Sequence, residues 1–89
     1  MPLRDTRALE EWAERENPPY STWQRITAWV SELDTAPWRA PSVPFPELSD
    51  PPHYEVRYAE IPATDGVTVF YRRVFDGEFV DIIDVAQVH

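Results

Sequence analysis

Apolar and polar positions recur with two different periods along this chain, and the change falls near residue 54. In the first half the period is helical. Ala8, Leu9 and Trp12 share one face, with Glu10, Glu11 and Glu14 on the other. Asp5 or Thr6 stands where an N-cap belongs, the helix should run through Asn17, and Pro18 and Pro19 end it. A second stripe follows: Trp23, Ile26, Val30 and Leu33 fall at i, i+3, i+7 and i+10, with Trp29 at its edge and Ser21 or Thr22 as cap. A short proline-rich turn between the stripes predicts an antiparallel helix hairpin over residues 5–35.

From residue 54 the period is that of strands. Three runs rich in Val, Ile, Tyr and Phe span Tyr54–Ile61, Val67–Phe75 and Phe79–Val85. Both glycines of the chain lie between them, each after an aspartate, as Asp65-Gly66 and Asp76-Gly77. Asp-Gly between β-branched runs predicts hairpins, because a type I′ turn needs positive φ at both central residues. The result is a three-stranded antiparallel meander over 54–88. A two-residue loop at Asp76-Gly77 sets Val74 opposite Phe79, Arg72 opposite Asp81, Phe70 opposite Ile83 and Thr68 opposite Val85. The other face then pairs Arg73 with Val80, Tyr71 with Ile82 and Val69 with Asp84. Pro62 cannot donate to a ladder and widens the first loop to Pro62–Gly66. The face with Ile61, Phe70, Val74, Phe79, Ile83 and Val85 reads as the core side, packed with Trp23, Ile26 and Val30. The other, with Tyr58, Glu60, Tyr71 and Arg73 beside Val69 and Ile82, mixes apolar and polar groups and suits a binding surface.

Between the halves, residues 36–53 hold Pro37, Pro41, Pro44, Pro46, Pro51 and Pro52, which forbids a helix or a central strand. The same stretch carries Trp38, Val43, Phe45 and Leu48, which a solvated linker does not need. It is expected to be an extended strap packed over the sheet or a helix. The fold class is therefore α+β in a single domain, 1–89: a helix hairpin on a β-meander. The four tryptophans belong to core packing rather than to a cofactor box.

The net charge of −8, with no lysine and only arginine as strong base, changes the choice of partners. Direct nucleic-acid binding is disfavoured unless the arginines cluster, whereas a basic protein surface fits. There is no cysteine, no apolar run of membrane-spanning length and no signal-peptide core at the N-terminus, so the expected setting is the cytoplasm, away from membranes. His53 and His89 lack ligand spacing, and the glycines are both spent in turns. No metal and no cofactor are expected, and hydrolase, kinase and dehydrogenase motifs are missing.

The element order, with Arg7-Ala-Leu-Glu-Glu-Trp12, the Leu33-to-Pro37 step, Tyr54-Glu-Val-Arg57, Val67-Thr-Val-Phe-Tyr71 and Ile82-Ile-Asp-Val85, resembles the RelE/ParE superfamily of bacterial type II toxins. The resemblance implies a short first strand, two helices and a three-stranded meander, and a cognate antitoxin that wraps the sheet or the helix hairpin. It also implies one of two actions: ribosome-dependent cleavage of messenger RNA, or binding to a protein target such as gyrase. The sequence departs from the ribonuclease pattern. Only Met1 to Arg4 remain for the first strand, Thr68 stands where a basic residue is expected, and the tail is only Ala86-Gln-Val-His89. Cleavage needs a base, an acid and cations around one phosphate. Arg73, Tyr71, Tyr58 and His89 are the available candidates, and Tyr58, Glu60, Tyr71 and Arg73 the candidate binding residues. The missing basic constellation favours a non-enzymatic action. Two alternatives of another class remain: an acidic module that holds a basic protein, and an acidic mimic of nucleic acid.

Overall fold

The computed structural model describes residues 2–38 and 40–87. The chain runs β1 (Leu3–Asp5), α1 (Arg7–Glu16), α2 (Tyr20–Thr35), β2 (Val43–Pro44), a 3-10 turn (Pro46–Leu48), β3 (Tyr54–Glu60), β4 (Val67–Val74) and β5 (Phe79–Gln87). The class is α+β, but the sheet has five strands rather than three, in the order β1-β5-β4-β3-β2. The antiparallel meander β3-β4-β5 forms its centre. The N-terminus adds β1 parallel to β5, and the strap adds β2 antiparallel to β3. Pro44 sits on an edge strand, the one place in a sheet that tolerates a residue without an N–H. Among the described residues no helix is long and apolar enough to cross a membrane.

The ends of α1 follow from local chemistry. The Asp5 carboxylate accepts a hydrogen bond from the Arg7 backbone N–H at 3.0 Å, and Asn17 closes the helix in the left-handed conformation at φ 45°. Helix α2 begins earlier than Ser21 or Thr22 suggests. Pro19, at φ −55° and ψ 151°, is its first boundary residue, because the proline ring already holds φ near a helical value. Thr22 instead turns inward and is buried.

The core lies between the helix pair and one face of the sheet. Leu9, Trp12, Ile26, Trp29 and Leu33 meet Ala59, Ile61, Val67, Val69, Tyr71, Val80, Ile82 and Val85. This reverses the expected orientation of the sheet: Val69, Tyr71 and Ile82 point at the helices, while Phe70 and Val74 point away. Strand β4 is apolar on both faces, so alternation alone does not choose the covered one. Trp29, expected at the edge of its stripe, lies at the centre, with its ring edge-on to Tyr71 at 5.7 Å between centroids. Trp12 is also buried and Trp23 partly so, whereas Trp38 is 67% exposed and packs in no core.

The second hairpin keeps the expected register near the turn, with Val74 opposite Phe79, Arg73 opposite Val80, Arg72 opposite Asp81 and Tyr71 opposite Ile82. Beyond that the register shifts by one. Phe70 faces Asp84, Val69 faces Val85 and Thr68 faces Ala86, which leaves Ile83 as the extra residue of a bulge. The reason is apolar patterning. A straight strand would send Ile82 and Val85 to opposite faces; the bulge brings both to the helix side and leaves Ile83 39% exposed. The turn itself is not type I′. Positive φ occurs at Gly77 and Glu78, not Asp76, and residues 75–78 all stand outside the strands. The first loop, 62–66, has the expected length and is closed by the Ile61 N–H on the Val67 carbonyl at 2.9 Å.

Candidate functional site

With the helices on one side, the opposite sheet face carries the exposed chemistry. The register places Val43, Tyr58 and Phe70 on this open face, and Phe45 of the strap lies against them. The three aromatic rings form a cluster with centroid separations of 5.8 Å for Tyr58–Phe70, 6.0 Å for Phe45–Tyr58 and 6.5 Å for Phe45–Phe70. Edge-on and tilted ring pairs of this kind are mutually favourable. The strap is held there by the backbone. The Phe45 N–H donates to the Val56 carbonyl at 2.8 Å, and the Ser49 hydroxyl both accepts from the Val56 N–H and donates to the Phe45 carbonyl. Val56 is buried beneath it, apart from the main core. Two exposed carboxylates sit beside the cluster: Asp84 opposite Phe70, and Glu60 two residues beyond Tyr58.

The other half of the open face is an ionic bridge. Asp81, 3% exposed, accepts hydrogen bonds from Arg4 of β1 and from Arg72 of β4. The Arg4 guanidinium lies 3.6 Å above the Phe79 ring, and that of Arg72 lies 5.6 Å from the Tyr54 ring. Burial pushes the Asp81 carboxyl up, but the bonds from the two arginines outweigh it and hold the group below its ordinary value. Among the described residues, both cations of this face are thereby committed to one carboxylate.

The residues singled out in the sequence do not converge. Tyr71 is 0% exposed on the helix side, edge-on to Trp29, with its hydroxyl donating to Ser42 Oγ. Tyr58 and Glu60 lie on the open face. Arg73 is on the helix side at the far end of the sheet, 5.3 Å from the Phe75 ring. There it lines a groove of about 590 Å³ with Trp38, Phe75, Phe79, Pro2 and Pro37. His89 lies outside the described residues. The mixed surface expected from Tyr58, Glu60, Tyr71 and Arg73 is therefore split over two faces. Alternation assigned Tyr58 and Tyr71 to one face, but the observed pairing of Tyr58 with Phe70 and of Arg57 with Tyr71 puts them on opposite sides.

Sequence reading missed Phe45 and Asp84 as parts of a surface, and Arg4 as a partner of Asp81. The signal for Phe45 was present in the apolar anchors of the strap. Beside Tyr71, Arg57 donates to Ser42 and to Glu55. Burial lowers the affinity of the Arg57 guanidinium for its proton, but the Glu55 carboxylate outweighs this, so it stays charged.

Set beside known protein families, curated proteins and solved structures, the chain matches none of them.

Proposed function

We propose that this chain is a RelE/ParE-like toxin component of a type II toxin–antitoxin pair and acts by binding a protein target, gyrase-like in kind, with a cognate antitoxin as its other partner. The observation that carries the reading is the order of elements. A short first strand and a helix pair precede the antiparallel meander β3-β4-β5, and β1 lies along the last strand. That order agrees with the one the sequence resemblance implies except for β2, the edge strand that the strap adds before the meander.

Binding is preferred over ribosome-dependent messenger-RNA cleavage on geometric grounds. Attack by a 2′-hydroxyl needs a base, an acid and cations within hydrogen-bond reach of one phosphate. Tyr71 has no exposed surface, Arg73 and Tyr58 stand on opposite faces, and Arg4 and Arg72 are held by Asp81. A second reading, an acidic module that holds a basic protein without toxicity, is favoured by the aromatic cluster on the open face together with the net charge of −8.

Induced expression in a bacterial host, with growth and transcript integrity followed together, tests these readings. Arrest with intact transcripts is the expected result. Arrest with cleaved transcripts, abolished by Arg73→Ala, overturns the binding mechanism and restores the ribonuclease. Undisturbed growth removes the toxin and leaves the acidic module.

A further inference from the structure

We infer that the open face around Phe45, Tyr58 and Phe70 is the docking surface for a basic amphipathic helix of a protein partner. The inference rests on the protein-binding part of the reading above and not on toxicity. An antiparallel sheet can leave one face in water, but half-buried aromatic side chains there offer a surface for another layer, and a helix supplies an apolar stripe of matching width. The helix pair of this chain is already spent on the opposite face, where Trp12, Ile26, Trp29 and Leu33 are buried. The strap buries Val56 and lays Phe45 against Tyr58 and Phe70, which stay half-buried, and it leaves Val43 exposed beside Tyr58.

Charge selects the kind of helix. Glu60 and Asp84 lie on the same face, Glu60 two residues beyond Tyr58 along β3 and Asp84 opposite Phe70 on β5, and both are exposed. Among the described residues neither forms an ion pair, and the Asp84 carboxylate accepts only from the Val85 backbone N–H. The cations of the face among the described residues, Arg4 and Arg72, are taken up by Asp81. An incoming acidic helix would meet these carboxylates and the overall charge of −8; a helix with Lys or Arg flanking its apolar stripe meets complementary charge at Glu60 and Asp84. The same rim repels the phosphates of RNA, so the aromatic cluster is not a base-stacking platform.

The test uses the full chain, isotope-labelled, and two synthetic helices of about 20 residues. Both carry the same Leu/Phe stripe, flanked by Lys in one and by Glu in the other. The Lys-flanked helix should bind saturably, weaken as salt rises, and shift amide signals of β2, β3 and β4 around Val43, Tyr58 and Phe70. The Glu-flanked helix should not bind. Glu60→Lys with Asp84→Lys, both exposed and free of packing, should weaken the Lys-flanked helix about tenfold or more. Equal binding of the two helices, shifts confined to α1 and α2, no saturation by about 1 mM, or binding of a single-stranded ribooligonucleotide to this face would each overturn the inference. Growth arrest in a host without binding of the Lys-flanked helix sinks the inference alone. Binding without arrest sinks the toxin reading alone.

Discussion

Tyr71 of the central strand donates its phenolic hydrogen to Ser42 Oγ across 2.9 Å, and Arg57 Nε donates to the same oxygen at 2.7 Å. Ser42 immediately precedes β2, so these two bonds fasten the proline-rich strap to the core side of the sheet. The Phe45–Val56 and Ser49–Val56 bonds fasten it farther along the edge of β3. The strap thus runs along the sheet edge, and the alternation of β2 turns Phe45 to the open face. Tyr71→Phe should cost about 1 kcal/mol, the net worth of one hydrogen bond, and Tyr71→Ala about 3–5 kcal/mol through the cavity left beside Trp29. Urea midpoints measure both. In Tyr71→Phe, faster amide exchange at Val43 and Phe45 with unchanged exchange in α2 is the expected signature of the loosened strap.

The bulge in β5 separates two adjacent isoleucines. Ile82 is buried against the helices, whereas Ile83 is 39% exposed on the other face. Ile82→Ala should therefore cost about 2–5 kcal/mol, while Ile83→Ala should stay within about 0.5 kcal/mol. Thermal melts of the two variants decide it; equal losses would mean that the register continues unshifted past Tyr71.

Asp81 ties β1 to the meander and gives stability a dependence on acid. Its folded pKa lies below its unfolded value, because the bonds from Arg4 and Arg72 outweigh burial. The stabilisation is therefore complete above the ordinary carboxylate range, near pH 4, and is lost as pH falls through the depressed folded value. Asp81→Asn should destabilise the chain by about 1–3 kcal/mol at pH 7 and flatten the acid limb of the stability–pH curve. Denaturant titrations from pH 7 down to pH 2 check the sign. An acid limb as steep as the parent's would assign the dependence to other carboxylates.

Gly77 serves the second turn through its conformation and its lack of a side chain. Its φ is +94°, and a Cβ there would stand 2.9 Å from Phe79 Cε1 and 3.1 Å from Cδ1. Gly77→Ala strains the backbone and pushes the ring that carries the Arg4 guanidinium. A loss of about 1–2 kcal/mol is expected. A melt unchanged from the parent would show that the turn rearranges freely.

What the sequence by itself determined is what local chemistry controls. Prolines at 18 and 19 separate two helices whose apolar stripes recur every three or four residues. The two Asp-Gly pairs mark the hairpins, and the spacing around Asp76-Gly77 is enough to set Arg72 opposite Asp81. Pro62 predicts the length of the first loop, and the proline content of 36–53 predicts an extended strap with apolar anchors. Tertiary structure decided the rest. Alternation divides β4 into two faces, but both are apolar, and which one meets the helices depends on whether Trp29 packs better on Tyr71 or on Phe70. The bulge at Ile83 exists because Ile82 and Val85 must both reach the helix side, a demand placed by the helices and not by residues 79–87. Strands β1 and β2, three and two residues long, have no readable period and are strands only because β5 and β3 offer them hydrogen-bonding edges. The candidate site depends on all three decisions. Phe45, Tyr58, Phe70, Glu60 and Asp84 come from four separate segments, the strap, β3, β4 and β5, and they share a surface only once the sheet has turned its other face to the core.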